Sequence, residues 1–123
     1  IPFGLAVYLG VKCGDTVMQA DAVAKKISKL RIFEDSNGKM NLSVADVGGE
    51  ILLISQFTLY GDCSHGNRPS FIEAERPEAA NSLYLYTAEQ LRSLGMTVKT
   101  GVFGADMKIE QFNEGPVTII YEI

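Results

Sequence analysis

Two neutral polar side chains near the middle of the chain, Gln56 and Thr58, have the types and spacing to hold a polar ligand. They follow the apolar run 51–54, which predicts a buried strand whose side chains alternate between its two faces. Gln56 and Thr58 would then share one face, and Ser55 and Phe57 the other. A glutamine amide offers a donor and an acceptor, and threonine offers a hydroxyl. The same groups could instead satisfy backbone atoms where the strand ends, and both interpretations stay open at this point.

The pair Gly115-Pro116 is a second unusual feature, because it directly precedes the apolar run 117–123. Proline has no N–H and a fixed φ, so it fits a strand only at its start or its edge. Glycine leaves the neighbouring backbone carbonyls uncovered by a side chain. The pair can therefore present backbone oxygen to a ligand.

Familiar catalytic groups are scarce in this chain. Its one histidine, His65, lies in a polar loop beside Cys63, and adjacency in sequence does not give nucleophile–base geometry. We interpret His65 as a solvated side chain. Carboxylate pairs such as Glu73 and Glu75 have no apolar setting that would raise a pKa. Because Cys13 and Cys63 lie far apart without a CxxC motif, we expect no metal site.

The charge and the apolar runs exclude some classes of protein. A formal net charge of −4 argues against a broad nucleic-acid-binding surface, although a small site could still grip one end of an RNA. The two cysteines fit a reducing cytoplasm, and the apolar runs are too short to span a bilayer. A local basic cluster is interpreted first as a solvated helix face; its members are Lys25, Lys26, Lys29 and Arg31.

The elements that must position these residues follow from the hydrophobic pattern. A capping box of Thr16 and Gln19 predicts the start of one helix, and Pro77 predicts the start of a second helix that runs to about Leu94. The long polar loop 60–76 precedes the second helix, and loops of this length are often functional. The predicted strands are the segments 3–11, 31–33, 39–44, 50–59, 96–102, 105–112 and 117–123.

This order of elements predicts a single domain over residues 1–123, of the α/β class in its α+β form. We expect a mixed, largely antiparallel and barrel-like sheet with two main helices. The chain opens directly on an apolar strand at Phe3, and a domain rarely starts in mid-sheet. We therefore expect that residues upstream of this strand are missing.

The two motifs together resemble the signature motifs of the D-aminoacyl-tRNA deacylases. The resemblance rests on Ser55-Gln56-Phe57-Thr58-Leu59 and on Asn113-Glu114-Gly115-Pro116-Val117-Thr118. It extends from Phe3 to the last residue, through similar segments at 31–33, 38–42, 66–71 and 100–107.

The resemblance implies the deacylase-family fold and an enzyme that hydrolyses the ester between a D-amino acid and the terminal adenosine of tRNA. Such an enzyme also clears glycine mischarged onto tRNA, and so acts in chiral proofreading during translation. The resemblance further implies a cytoplasmic homodimer with active sites at the subunit interface, which uses no metal or organic cofactor.

Carried over residue by residue, the resemblance implies a cis Gly115–Pro116 peptide bond that reaches into the partner subunit's site. The carbonyls of this pair would leave no room for the side chain of an L-amino acid. The basic cluster becomes a candidate contact for tRNA phosphates. The catalytic residues would be Gln56, Phe57 and Thr58, and the substrate would also be lined by Ser55, Phe103, Ala105 and Met107, the last three around the adenine.

Two mechanisms stay open. In one, Thr58 is the nucleophile, but no base is visible to activate it. In the other, the 2′-hydroxyl of the terminal ribose assists, groups near Gln56 orient the ester, and the Phe57 N–H stabilises the oxyanion. The lack of a histidine base favours the second mechanism.

Two other functions also stay open: a non-catalytic RNA- or nucleotide-binding module on the same fold, and an enzyme that acts on another small ester or amide. One departure from the resemblance concerns the start of the chain. The family normally has a hairpin of roughly 15–20 residues before the strand at Phe3, with a basic residue that helps to fix the Gly-Pro loop. Without this hairpin we expect a poorly soluble or inactive protein.

Overall fold

The computed structural model describes residues 1–123 and contains two sheets and two long helices. Neither helix combines the length and the apolar character that crossing a membrane requires. The elements, in chain order, are β1 (Gly4–Leu9), α1 (Val17–Lys29), β2 (Phe33–Glu34), β3 (Met40–Leu42), β4 (Glu50–Ser55), a 3₁₀ helix (Phe57–Tyr60), α2 (Pro77–Ser93) and β5 (Val98–Thr100).

The main sheet has the strand order β1-β4-β5, and both strand pairs are parallel. Leu9 at the end of β1 pairs with Ser55 at the end of β4, and Leu53 pairs with Thr100 at the end of β5. The carboxyl ends of all three strands therefore lie at one edge of the sheet. In open sheets of this kind, this edge is where ligands usually bind.

The mixed composition with two helices is confirmed, but the expected largely antiparallel, barrel-like sheet is wrong. Only the short pair β2–β3 is antiparallel. Parallel neighbours need a long crossover connection, which α1 supplies between β1 and β4 and α2 supplies between β4 and β5. The segments 105–112 and 117–123, which we predicted as strands, form no strand and pair with none.

The core lies between the two helices and the main sheet. α1 contributes Ala24 and Ile27, and α2 contributes Tyr84, Ala88 and Leu91 to a buried cluster that includes residues of β4 and β5. The predicted capping box is present, since the Thr16 side chain accepts from the backbone of α1 and Gln19 reaches back to Thr16. Pro77 is the first residue of α2, as predicted.

Candidate active site at the carboxyl edge of the sheet

The chain changes direction where β4 ends, at Ser55. We predicted that this strand would continue to residue 59, but the segment forms a 3₁₀ helix. Leu59 N–H donates to the Gln56 carbonyl at 3.2 Å, and Gly61 N–H donates to the Thr58 carbonyl at 3.0 Å. These bonds are local and close a turn instead of a strand ladder. The prediction that Gln56 and Thr58 share one face of a strand is therefore wrong.

The turn nevertheless brings Gln56 and Thr58 into contact, because the Gln56 side-chain amide donates a hydrogen bond to the Thr58 hydroxyl. The Thr58 oxygen acts as the acceptor, so its own hydrogen remains available to donate. Thr58 is exposed and Gln56 is half-buried. The pair therefore forms a small polar surface that a ligand can reach.

Phe57 lies between these two residues and has a free backbone N–H and a partly exposed ring. Its N–H is the first of the 3₁₀ helix and has no partner within that helix. Its side chain is 53% exposed and packs edge-on against Phe71, with ring centroids 5.1 Å apart. The aromatic contact joins the turn to the loop that precedes α2.

On the β1 side of the turn, Gln56 N–H donates to the Leu9 carbonyl at 2.9 Å. A Cβ at the next residue, Gly10, would lie 3.0 Å from the ring of Tyr60, so a side chain there would require the ring to shift. Burial of the Tyr60 phenol raises its pKa, with a smaller contribution from nearby carboxylates, so this hydroxyl stays protonated at neutral pH.

On the β5 side, Gly101 N–H donates to the Leu53 carbonyl of β4 at 3.1 Å. The half-buried ring of Phe103 packs against the core, and the Met107 sulfur would lie 2.7 Å from a Cβ added to Gly101. Ala105 is exposed, and its N–H donates to the Val102 carbonyl at 3.1 Å, which closes a turn. The three residues assigned to adenine therefore follow β5 at the same edge of the sheet as Gln56 and Thr58.

The Gly115–Pro116 peptide bond is cis, and both residues are exposed. Gly115 has a φ of +115°, and a Cβ added to it would lie 3.0 Å from the Val117 nitrogen. No hydrogen bond joins this pair to Gln56 or Thr58. One chain by itself therefore does not bring the two motifs into hydrogen-bonding contact.

The polar loop before α2 is closed by a two-residue bridge, in which Asp62 and Ser70 exchange backbone hydrogen bonds. Hydrogen bonds from the Ser64 hydroxyl and from its backbone N–H lower the pKa of Asp62. His65 is exposed and makes no side-chain hydrogen bond. The loop therefore supplies no base that is bonded to Thr58.

The four residues of the basic cluster do not act as one group, because Arg31 and Lys26 contact different parts of the chain. Arg31 donates to the backbone carbonyl and to the side chain of Asn41, while the Lys26 ammonium lies 5.2 Å from the centre of the Tyr121 ring. Lys25 and Lys29 are exposed on α1. No group of three or more His, Cys, Asp or Glu side chains is arranged to hold a metal ion.

Comparison with known proteins assigns the chain to a family. The family model of D-Tyr-tRNA(Tyr) deacylase matches residues 1–122. The chain belongs to this deacylase family. Its sequence is 57% identical over 122 residues to the D-aminoacyl-tRNA deacylase of Geobacillus sp. (strain WCH70), covering 99% of this chain and 80% of that relative. Against the D-aminoacyl-tRNA deacylase of Bacillus cereus (strain G9842), identity is 53%, over 99% of this chain and 84% of that relative.

Two solved structures resemble this deacylase. A structure described as the c-Myc DNA Unwinding Element Binding Protein matches with a TM-score of 0.87 and 42% identity, over 94% of this chain and 79% of that one. A probable eukaryotic D-amino acid tRNA deacylase matches with a TM-score of 0.69 over 84% of this chain and 76% of that one, and at 16% identity it shows the fold alone. Family membership confirms the resemblance and supports a hydrolase of ester bonds over a non-catalytic binding module.

Sequence reasoning missed one residue at this edge of the sheet, Tyr84. Its hydroxyl donates to the Leu53 carbonyl at 2.8 Å, and its ring contacts Phe103 with centroids 6.1 Å apart. The apolar spacing in α2 predicts a buried face of Ala80, Leu83, Thr87, Leu91 and Leu94. Ala80, Thr87 and Leu91 are buried, but Leu94 is 48% exposed, and Tyr84, which this prediction left out, is fully buried. The spacing of Ala80, Tyr84, Thr87 and Leu91 was the available signal.

Proposed function

We propose that this deacylase hydrolyses the ester bond of D-aminoacyl-tRNA and releases the D-amino acid and free tRNA. Glycine mischarged onto tRNA is a second substrate, and the cellular role is chiral proofreading in the cytoplasm. The observation that carries the proposal is the Gln56–Thr58 contact at the carboxyl edge of the sheet, beside the Phe57 N–H, in a chain of the deacylase family.

The chemistry at this edge suits an ester whose own ribose assists its cleavage. Thr58 accepts a hydrogen bond from Gln56, and no histidine or carboxylate is bonded to its hydroxyl. A threonine without a base is a poor nucleophile. The 2′-hydroxyl of the terminal adenosine lies next to the ester in any aminoacyl-tRNA, so it can take part without a protein base. Thr58 and Gln56 then hold and orient the ester.

The negative charge of the tetrahedral intermediate needs a hydrogen-bond donor. The N–H of Phe57 begins the 3₁₀ helix and points to no partner inside it, so it is a suitable oxyanion donor. Because a backbone donor is fixed by the fold, it needs no rearrangement when the charge develops.

The adenine is placed against Phe103, Ala105 and Met107. These residues follow β5, which is hydrogen-bonded to β4 just before Ser55. Aromatic rings and thioethers offer apolar, polarisable contact to a nucleobase. Ser55, the last residue of β4, directly precedes Gln56 and completes the group of residues that we assign to the substrate.

The Gly115–Pro116 pair acts as the chiral filter, and we propose that it acts on the site of a second subunit. Exposed backbone carbonyls can exclude an L side chain by taking up its space. Two observations support a homodimer. The pair makes no hydrogen bond to Gln56 or Thr58 in its own chain, and the segment around it exposes large apolar side chains, namely Phe112, Ile119, Ile120 and Ile123.

The experiment that tests the proposed activity is single-turnover hydrolysis of D-Tyr-tRNA, measured as loss of the ester under excess protein. We expect loss of the ester well above the rate without protein, and a large reduction in the double variant Gln56→Ala/Thr58→Ala. Binding of the tRNA without any loss of the ester would contradict the proposal and would favour the non-catalytic binding module. Hydrolysis of a small amino-acid ester but not of D-Tyr-tRNA would favour another ester substrate.

A further inference from the structure

Tyr84 is a buried tyrosine that has no part in the proposed hydrolysis of the ester. It lies in α2 with 2% of its surface exposed, and its hydroxyl donates to the Leu53 carbonyl of β4 at 2.8 Å. A buried hydroxyl without a partner costs free energy, so this bond fixes the position of the ring tip. Burial raises the pKa of Tyr84, which keeps the hydroxyl protonated and able to donate.

The Leu53 carbonyl is a junction between three elements. It accepts a second hydrogen bond, at 3.1 Å, from the N–H of Gly101, the first residue after β5. A carbonyl oxygen has two lone pairs and can serve both donors. The Tyr84 hydroxyl also lies 3.5 Å from the Gly101 carbonyl. α2, β4 and the loop after β5 therefore meet at one point, just before Ser55.

This junction supports two of the residues assigned to adenine. The ring of Phe103 lies against the ring of Tyr84, with centroids 6.1 Å apart and a tilt of 44°. Met107 lies directly on Gly101, since its sulfur would be 2.7 Å from a Cβ added there. Both residues therefore take their positions from groups that contact Tyr84.

We propose that Tyr84 is a positioning residue for the deacylase reaction. Its hydroxyl holds the segment 101–107 at a fixed distance from Gln56 and Thr58. The adenine and the ester of the substrate can then occupy their two sites at the same time. This inference rests on the proposed function. The turn at Gln56 is anchored separately, by its N–H to the Leu9 carbonyl of β1, so loss of the Tyr84 hydroxyl acts on substrate binding more than on chemistry.

The test compares Tyr84→Phe with Tyr86→Phe. Both variants remove one phenolic oxygen from α2, but the Tyr86 hydroxyl donates to Asp21 of α1, away from the site. With kcat and KM for D-Tyr-tRNA normalised to folded protein, we expect Tyr84→Phe to raise KM about fivefold to tenfold, the effect of one lost hydrogen bond, and to change kcat less. Tyr86→Phe should leave both constants unchanged. A wild-type KM in Tyr84→Phe would overturn the proposal, even if its melting temperature falls.

A second readout does not depend on activity. Amide hydrogen exchange at Gly101 should be faster in Tyr84→Phe than in the wild type or in Tyr86→Phe, while the amides of β1 stay unchanged. Unchanged exchange at Gly101 contradicts the positioning role, whereas a wild-type protein that hydrolyses no D-Tyr-tRNA contradicts the proposed function. The two failures are therefore distinguishable.

A third variant covers the case in which Tyr84→Phe does not fold. Gly101→Ala disturbs the same junction from the other side, because its Cβ would crowd the Met107 sulfur at 2.7 Å. We expect the same increase in KM with kcat little changed. A wild-type KM in Gly101→Ala would show that the spacing of this loop does not control substrate binding, and would overturn the proposal.

Discussion

Thr58 is the residue at which the two mechanisms predict different results. Its hydroxyl is exposed and accepts a hydrogen bond from Gln56, but no base is bonded to it. If the 2′-hydroxyl of the ribose assists cleavage, the threonine contributes orientation only. If the threonine oxygen attacks the ester, the reaction depends on it entirely.

We expect Thr58→Ala to lower the single-turnover rate constant for D-Tyr-tRNA by about tenfold or less, the size of a lost orienting hydrogen bond. Loss of a nucleophile would instead lower this rate constant by at least about a thousandfold. The measurement is single-turnover hydrolysis, with Thr58→Ser as the control that keeps the hydroxyl. A D-Tyr-tRNA that ends in 2′-deoxyadenosine should be hydrolysed far more slowly by the wild type, and an unchanged rate with this substrate would contradict ribose assistance.

At the scale of the elements, the sequence predicted well where local chemistry decides the structure. The capping box of Thr16 and the proline at the start of α2 were both readable, because capping and proline geometry depend on neighbouring residues. The 3₁₀ turn after Ser55 was not readable. Its residues have strand-forming character, and the contact of Phe57 with Phe71 that accompanies the turn joins distant parts of the chain.

The position of Tyr84 was missed for a related reason. A tyrosine in the apolar stripe of a helix looks like an ordinary core residue, and the sequence does not reveal which carbonyl its hydroxyl reaches. The parallel order β1-β4-β5 was also missed, because pairing is decided by where each crossover helix packs. For the candidate site, the residue types of Gln56 and Thr58 were readable, but the turn that joins them was not.

The hairpin of β2 and β3 contains a carboxylate whose pKa is lowered by backbone hydrogen bonds. Asp35 lies in the turn between the two strands and accepts hydrogen bonds from the backbone N–H groups of Lys39, at 3.1 Å, and Asn37, at 2.8 Å. These bonds lower its pKa from the ordinary value of 3.8. A carboxyl whose pKa is lower in the folded state adds stability above its ordinary pKa and loses it as the pH falls through the lowered value.

We therefore expect Asp35→Asn to lower the melting temperature at neutral pH and to flatten its decline in acid. The measurement is thermal unfolding followed by circular dichroism, from neutral pH to below 3.8. Asp106→Asn is the matched control, since the Asp106 carboxylate accepts no hydrogen bond and its removal should change little. Equal melting curves for the wild type and Asp35→Asn at every pH would contradict this role for Asp35.

At the scale of the whole molecule, the segment after β5 exposes several large apolar side chains in a single chain. It forms no strand, and Phe112 and Ile120 are 97% and 91% exposed. Exposed apolar side chains in such numbers are typical of an interaction surface. In the homodimer that we propose, a second subunit covers this surface, and Gly115-Pro116 of one subunit acts on the site of the other.

We expect the protein to be a dimer by light scattering after size exclusion, and we expect Ile120→Asp to convert it towards the monomer and to lower the deacylation rate. Burying an unpaired carboxylate in an interface is costly, which is why one substitution suffices. Met18→Asp is the control, because Met18 is 73% exposed on α1, outside the segment after β5. A wild-type protein that stays monomeric while fully active would contradict the proposed shared site.

The most direct measurement of the central claim is the ratio of kcat/KM for D-Tyr-tRNA to that for L-Tyr-tRNA, in the wild type and in Gly115→Ala. The alanine Cβ would lie 3.0 Å from the Val117 nitrogen at a φ of +115°, so the loop must shift and move its carbonyls. A chiral deacylase should hydrolyse the D ester, spare the L ester, and lose part of this discrimination in the variant. Equal kcat/KM values for the two esters with the wild-type protein would contradict the claim.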